Sequence, residues 1–301
     1  MGPLFVWSTV IGLVLVAVVA ALPWLLKKRG VTMCQTKFGT TLIFESENAD
    51  GTPVRLINVN GTFQSVCYLP DELHFELACL YHREMADVID QMARSAQGQG
   101  RQLRVLVMGG GGYSLPKYLA AYVPNAHVEV VEVDPAMTKI AREQFFLDEC
   151  LEVTGAEGDG RLTLVNDDAW GYLQRQDEPY DVIVNDAFSG KRPLGPMKTD
   201  EGARVVRAHL ADGGVYLANV RSACEGRRSA TLREVREAFG REFASCHVVP
   251  EWEDEPEKPG NNVFIARWAA SEPTNDQAVT STRRFQFSHT FSTVSPDGTQ
   301  K

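Results

Sequence analysis

Leu103-Arg-Val-Leu-Val-Met-Gly-Gly-Gly-Gly-Tyr-Ser114 is the stretch on which the reading of the whole chain turns. An apolar run of strand length stops at four glycines and gives way to Ser-Leu-Pro-Lys-Tyr-Leu, where Ser114 is placed to cap a helix with Pro116 in its first turn. That order predicts a strand, a tight turn and a helix. Glycines let the backbone come close to a ligand there, and the free N–H groups of the helix start face the same place. About twenty residues on, a second apolar run, His127-Val-Glu-Val-Val-Glu-Val133, carries Glu132 near its end and leads into Asp134-Pro135. A carboxylate at that strand tip is positioned to accept hydrogen bonds from both ribose hydroxyls of a nucleoside. The competing account is a plain turn beside a solvated carboxylate.

Downstream the pattern repeats. A helix is expected over 136–147, then a polar loop through Gly160, a strand Leu162-Thr-Leu-Val165 ending in Asn166-Asp-Asp168, and a short helix with Trp170, Tyr172 and Leu173. Strand Tyr180-Asp-Val-Ile-Val184 ends in Asn185-Asp-Ala-Phe-Ser-Gly190; helices over 200–210 and 231–239 flank a strand over 214–219. Alternating strands and helices imply a parallel sheet with its ligand beyond the carboxyl ends of the strands. The last two runs, 242–249 and 262–268, have no room for a helix between them and are expected to be antiparallel. Four strand ends then converge: Gly109 to Gly112, Glu132, Asp167-Asp168 and Asp186. Asp168 adds an acceptor for an adenine amino group, although a lone Asp there also serves as a helix cap. A third acid of this kind is more typical of S-adenosylmethionine-type sites than of nicotinamide sites. The fold class is therefore α/β, a Rossmann-like S-adenosylmethionine-dependent methyltransferase fold over 101–269, with a mostly parallel sheet and an antiparallel last strand.

Upstream, strand patterns over Thr40–Glu45, Val54–Val59 and Gly61–Leu69, with the turn signal Asn48-Ala-Asp-Gly51, predict a small antiparallel β-domain over 37–70. It is too small to stand alone and should dock on the larger α/β domain. Asp71 opens a long helical pattern that ends at Gln97-Gly-Gln-Gly100, making 71–100 a connecting helix and linker. Residues 3–26 are uncharged and mostly Val, Leu, Ile, Ala and Trp, and Lys27, Lys28 and Arg29 come directly after them. That predicts a transmembrane anchor within 1–30, single-pass, with the catalytic domain cytoplasmic; a cleaved signal peptide and an interfacial helix are the alternatives. The Ser, Thr, Asp and Pro-rich tail over 270–301 has no periodicity and reads as disordered.

Composition sets bounds. At 301 residues and 44% hydrophobic, the chain can bury a sizeable core, and a net charge of −9 argues against nucleic acid as a partner. The six cysteines are scattered, with no spacing suited to a metal, so neither disulfides nor a metal site is expected.

With these residues in view, the chain resembles the spermidine synthase family, the polyamine aminopropyltransferases, from about Thr40 to Trp268. The likeness rests on Ile43-Phe-Glu-Ser46, Asn60-Gly-Thr-Phe-Gln64, Asp71-Glu72, the glycine loop, Val131-Glu-Val-Asp-Pro135, Asp168 before an aromatic-Leu pair, and Tyr180-Asp-Val-Ile-Val-Asn-Asp186. It implies decarboxylated S-adenosylmethionine as co-substrate, an amine as acceptor, and a homodimer. By position it puts Gly109 and Gly111 against the chain borne by the nucleoside, Glu132 on the ribose and Asp168 on the adenine. Gln64 would close the site from the β-domain, His74 falls near the family's Tyr-His-Glu element, and Asp186 remains as the candidate base. Gln64 as an ordinary strand residue and His74 as a solvated one are the plain alternatives. Two acids of the family pattern are replaced, one by Gly112 and one by Ser189. Both losses bear on holding and deprotonating a dicationic amine, since a serine carries neither charge. Three readings remain open: an aminopropyltransferase-like enzyme with altered amine specificity, a methyltransferase using intact S-adenosylmethionine, and a membrane-tethered binding protein without turnover.

Overall fold

A computed structural model describes residues 24–189 and 192–268. The expected anchor over 3–26, apart from its last three residues, and the expected disordered tail lie outside the described residues. Among the described residues no helix is long and apolar enough to cross a membrane.

Thirteen strands are described. The first four, β1 (Thr32–Thr36), β2 (Gly39–Glu47), β3 (Pro53–Val59) and β4 (Thr62–Tyr68), form an antiparallel sheet in the order β1-β2-β3-β4. The sheet starts five residues before the expected boundary at Lys37, because Thr32-Met-Cys-Gln-Thr36 pairs with β2 from Thr32↔Ile43 to Thr36↔Gly39. It does dock: Ile43, Ile57, Val59 and Cys67 pack against Met137, Ile140 and Phe145.

The segment after β4 departs from expectation. Asp71–Leu73 is a single 3-10 turn, and the long helix α1 (Leu80–Gly98) begins only after Cys79. The apolar spacing from Leu73 to Leu80 is that of separate core contacts, not of one continuous helix.

The main sheet has seven strands: β5 (Leu103–Met108), β6 (Ala126–Glu132), β7 (Leu162–Asn166), β8 (Tyr180–Asn185), β11 (Leu210–Ser222), β12 (Ser245–Val249) and β13 (Gly260–Arg267). The short β9 (Phe188–Ser189) and β10 (Arg192–Pro193) form a hairpin of their own. The order is β12-β13-β11-β8-β5-β6-β7; β7, β6, β5, β8 and β11 are parallel, and β13 enters antiparallel between β11 and β12. The expected antiparallel end is therefore present.

Alternation along β5 decides the two layers. Val105 and Val107 face α1, α2 (Ser114–Tyr122) and α4 (Leu147–Thr154), whereas Leu106 and Met108 face α6 (Asp200–Ala208) and α7 (Ala230–Phe239). Helix α3 (Pro135–Gln144) comes after β6, and α5 (Ala169–Leu173) after β7. Helix α4 falls where a loop was expected: its acidic residues Asp148 and Glu149 open its first turn, while Leu147, Cys150 and Leu151 are buried. Successive strands run one way from β5 to β6 and β7, and the other way from β5 to β8 and β11. The switch point is thus between β5 and β8, where a crevice opens.

Leu106 is fully buried in β5, an interior strand of the sheet. Leu106→Ala should lower stability by about 2–5 kcal/mol, seen as a lower urea midpoint without a change in slope.

Candidate active site

The glycine loop is held from two sides. Gly109 has φ +98, and a Cβ there would stand 2.7 Å from the carbonyl oxygen of Asp186, so this position has room only for glycine. The contact arises from topology, because β5 and β8 are neighbours and the Asp186 N–H donates to the Met108 carbonyl at 3.0 Å. On the other side, Gly110 and Gly111 donate their N–H groups to Oε2 of Glu132 at 2.8 and 3.2 Å, and the Asp134 N–H donates to Oε1 at 2.9 Å. The Glu132 carboxylate is buried and fixed by backbone: Oε2 already takes two N–H groups, whereas Oε1 takes one and keeps a second lone pair for a ligand hydroxyl.

Ser114 does not cap its helix. Tyr113 takes the capping position at φ 55, with its hydroxyl 2.8 Å from Thr138 Oγ1, and Ser114 Oγ instead donates to the Val66 carbonyl at 3.1 Å. The loop is thereby tied to β4. At Gly112 a Cβ would lie 2.4 Å from Ser65 Oγ and 3.1 Å from the Phe145 ring, so Ser65 fills the room an acidic side chain would need.

Asp186 is the centre of a cluster. Its Oδ2 lies 2.8 Å from His82 Nε2 and accepts from the Tyr81 hydroxyl at 3.4 Å, and its Oδ1 accepts from Asn219 Nδ2 at 3.0 Å. Burial pushes the His82 imidazole down, but the Asp186 hydrogen bond and charge outweigh it and raise the pKa to about 9. Burial, then the Asp186 charge, push the Tyr81 hydroxyl well above its ordinary value. Two buried atoms around this carboxylate, His82 Nδ1 and Asn219 Oδ1, have no hydrogen-bond partner among the described residues.

Two cavities meet here. The smaller, about 410 Å³, is lined by the four loop glycines, Glu132, Met137, Asp168, Trp170, His82 and Asp186, a size suited to a nucleoside. The larger, about 1030 Å³, lies under β2–β4 and is lined by Tyr68, Tyr81, Arg83, Asn219, Arg221 and Glu251, among others. Thr62, Gln64 and Ser65 line both. Gln64 is the extra residue of a β-bulge: Ser65 pairs with Ile57 while Phe63 pairs with the adjacent Asn58. A bulge re-aims its side chain, which is how a strand residue reaches the junction.

The spermine/spermidine synthase domain pattern matches residues 79–269, which contain every residue of this cluster. The chain belongs to the spermine/spermidine synthase family. A polyamine aminopropyltransferase of Vibrio vulnificus is 30% identical over 168 residues, 54% of this chain and 50% of the relative. An eEF1A lysine and N-terminal methyltransferase of Danio rerio is 27% identical over 172 residues, 54% of this chain but 24% of that protein. The chain thus spans at most about half the length of these relatives. Among solved structures, a probable spermidine synthase from Corynebacterium glutamicum superposes with a TM-score of 0.63 at 21% identity, covering 82% of this chain and 85% of that one.

Within this spermidine synthase-type fold, Gly109, Gly111, Glu132, Gln64 and Asp186 come together as expected from the sequence. Asp168 lines the smaller cavity, and its Oδ1 also accepts from the Gly171 N–H at 2.8 Å, so it is both cap and wall. Ser189 ends β9, and its side chain lies outside the described residues. His74 is not in either cavity. It is buried, with Nδ1 3.0 Å from the Glu149 carboxylate, Nε2 3.0 Å from the Leu69 carbonyl, and its ring stacked on Phe146. That placement corrects the assignment of His74 to substrate: it pins the segment after β4 to α4. The histidine at the site is His82, and the signal for it was Tyr81-His82 with Glu84 two residues on, which fits the Tyr-His-Glu element better. Asn219 had no local signal, since only the pairing of β11 with β8 brings it to Asp186.

The raised His82 pKa links to stability. The folded state holds this proton more tightly than the unfolded chain, so its contribution is complete below about pH 6.5 and is lost as pH rises through about 9. In Asp186→Asn burial acts without the carboxylate, so the His82 pKa should fall below its ordinary value and this loss of stability at alkaline pH should disappear. NMR titration of His82 and unfolding curves between pH 6 and 10 check both outcomes.

Proposed function

We propose that the chain is an alkyltransferase that binds a sulfonium nucleoside in the smaller cavity and passes its alkyl group to a nucleophile in the larger one. The observation that carries this reading is the placement of Asp186. Its carboxylate and His82 line the smaller cavity, while its partners Tyr81 and Asn219 line the larger. A base therefore stands where a nucleophile and a sulfonium carbon would meet in line.

With decarboxylated S-adenosylmethionine as co-substrate, the acceptor nitrogen forms a C–N bond as the C–S bond breaks. The bond's electron pair stays on sulfur, which leaves as the neutral thioether 5′-methylthioadenosine. The proton released from the nitrogen passes to Asp186, and His82 and Tyr81 orient that carboxylate. Glu132 holds the ribose, Asp168 the adenine edge, and Gly109 and Gly111 let the backbone approach the substituent on sulfur. Membership of the family and the polyamine aminopropyltransferase relative support aminopropyl transfer to an amine, which would place the chain in polyamine biosynthesis.

Methyl transfer from intact S-adenosylmethionine is the second reading, favoured by the similarity to the eEF1A lysine and N-terminal methyltransferase. The two differ in product: 5′-methylthioadenosine for the first, S-adenosylhomocysteine for the second. We also propose that residues 3–26 tether this domain on the cytoplasmic face of a membrane, because the uncharged run precedes Lys27, Lys28 and Arg29. Recovery of the full chain in a carbonate-washed membrane fraction is expected, and recovery in the soluble fraction would contradict the tether.

Glu132→Ala removes the acceptor of three backbone N–H groups and should weaken calorimetric binding of either nucleoside product at least tenfold. Asp186→Asn should abolish product formation by chromatography while changing nucleoside affinity less than threefold. Wild-type affinity in the first variant, or a wild-type rate in the second, moves those roles elsewhere.

A further inference from the structure

The larger cavity is lined by three acids, Glu45, Glu47 and Glu251, and two arginines, Arg83 and Arg221, which differ in whether their charge is already engaged. Of the acids on its wall, Glu45 is spent on Arg55 at 2.7 Å, and Glu251 accepts from the Asn261 backbone N–H at 2.6 Å. Arg83 is likewise engaged, with Nε donating to the Leu77 carbonyl at 2.7 Å and Nη2 to the Tyr68 hydroxyl at 3.2 Å. Arg221 is different. It lines the cavity and is exposed, and it has neither an ion pair nor a side-chain hydrogen bond among the described residues. It stands two residues beyond Asn219 on β11 and so on the same strand face, about 7 Å further out. Glu47, the remaining acid, sits at the far end of β2 beside the exposed 48–51 turn.

Asn219 marks the inner end of this line. It is 2% exposed, one amide atom holds Asp186, and the other, Oδ1, is an orphaned acceptor in the cavity wall. A nitrogen held at the Tyr81 and Asn219 end of the cavity has the rest of its molecule running outward past Arg221. The loop side adds nothing negative, because Ser65 occupies the space at Gly112.

We propose that the acceptor is an amine whose far end carries an anion, a carboxylate or a phosphate, paired with Arg221, and not a diamine. This rests on the alkyltransferase reading and names its acceptor class. Arg221 acts there as a specificity-determining residue at the mouth of the acceptor chamber. The nucleophilic nitrogen still attacks the sulfonium carbon and still gives its proton to Asp186, so only the partner at the far end changes.

The test uses the full chain saturated with 5′-methylthioadenosine and two probes of equal length, putrescine and 4-aminobutyrate, with 3-aminopropyl phosphate as the phosphate arm. Calorimetry should give at least tenfold tighter binding of one or both anionic probes than of putrescine, and their ratio tells carboxylate from phosphate. Arg221→Glu should reverse the preference, and Glu47→Gln should leave it in place. Tighter putrescine binding, no binding of any probe, or a preference unchanged by Arg221→Glu would each overturn the assignment. Nucleoside affinity is measured first in the same titration: if the nucleoside itself does not bind, the alkyltransferase reading fails, whereas nucleoside binding with the wrong acceptor preference sinks only the acceptor class.

Discussion

The close approach of Gly109 to the backbone of Asp186 is the constraint on which the site depends. Two parallel strands at the switch point end side by side, and no side chain fits between the turn of one and the carbonyl of the other. Because that gap is closed by backbone, the turn swings the next two N–H groups onto Glu132, and the Asp186 side chain is left facing the crevice. Ligand recognition and the candidate base are thus positioned by one packing event, not by two independent ones.

The small sheet completes what the large one begins. Ser114 reaches the Val66 carbonyl, Arg55 reaches the Gln144 carbonyl at 2.6 Å, and the bulge at Gln64 projects into the seam between the chambers. A four-stranded sheet of this size gains its stability by burying Ile43, Ile57 and Val59 on α3, and the same docking roofs both cavities. Folding energy and chamber closure therefore share one interface. The same arrangement sets the electrostatic character: in the larger cavity the acids Glu45 and Glu251 are engaged by structure, whereas Glu47 at its far end and Arg221 have no ion pair among the described residues.

The features legible in the sequence are the local ones. The alternation of Val105, Leu106, Val107 and Met108 and the glycines after them are properties of neighbouring residues, as is Glu132 at the tip of the next strand. Other features are hidden because two local signals compete. Leu147, Cys150 and Leu151 carry a helical spacing that the acidic residues around them disguised as a loop. Between Tyr68 and Leu80 the apolar residues fit a helix but serve irregular backbone, and that error carried the histidine assignment to His74 instead of His82.

The sequence by itself determined the α/β class, the strand–glycine–helix turn, the acidic strand tips and the antiparallel finish, because each is written in residue types a few positions apart. Only the tertiary structure decided that His82, Tyr81 and Asn219 surround Asp186, that Ser65 takes the space at Gly112, and that Arg221 stands beyond Asn219 with no ion pair among the described residues. Those relations join segments as far apart as Tyr81 and Asn219, 138 residues, across the sheet order β11-β8-β5. Hydrophobic packing selects that order from the whole chain at once, and no local window of sequence contains it.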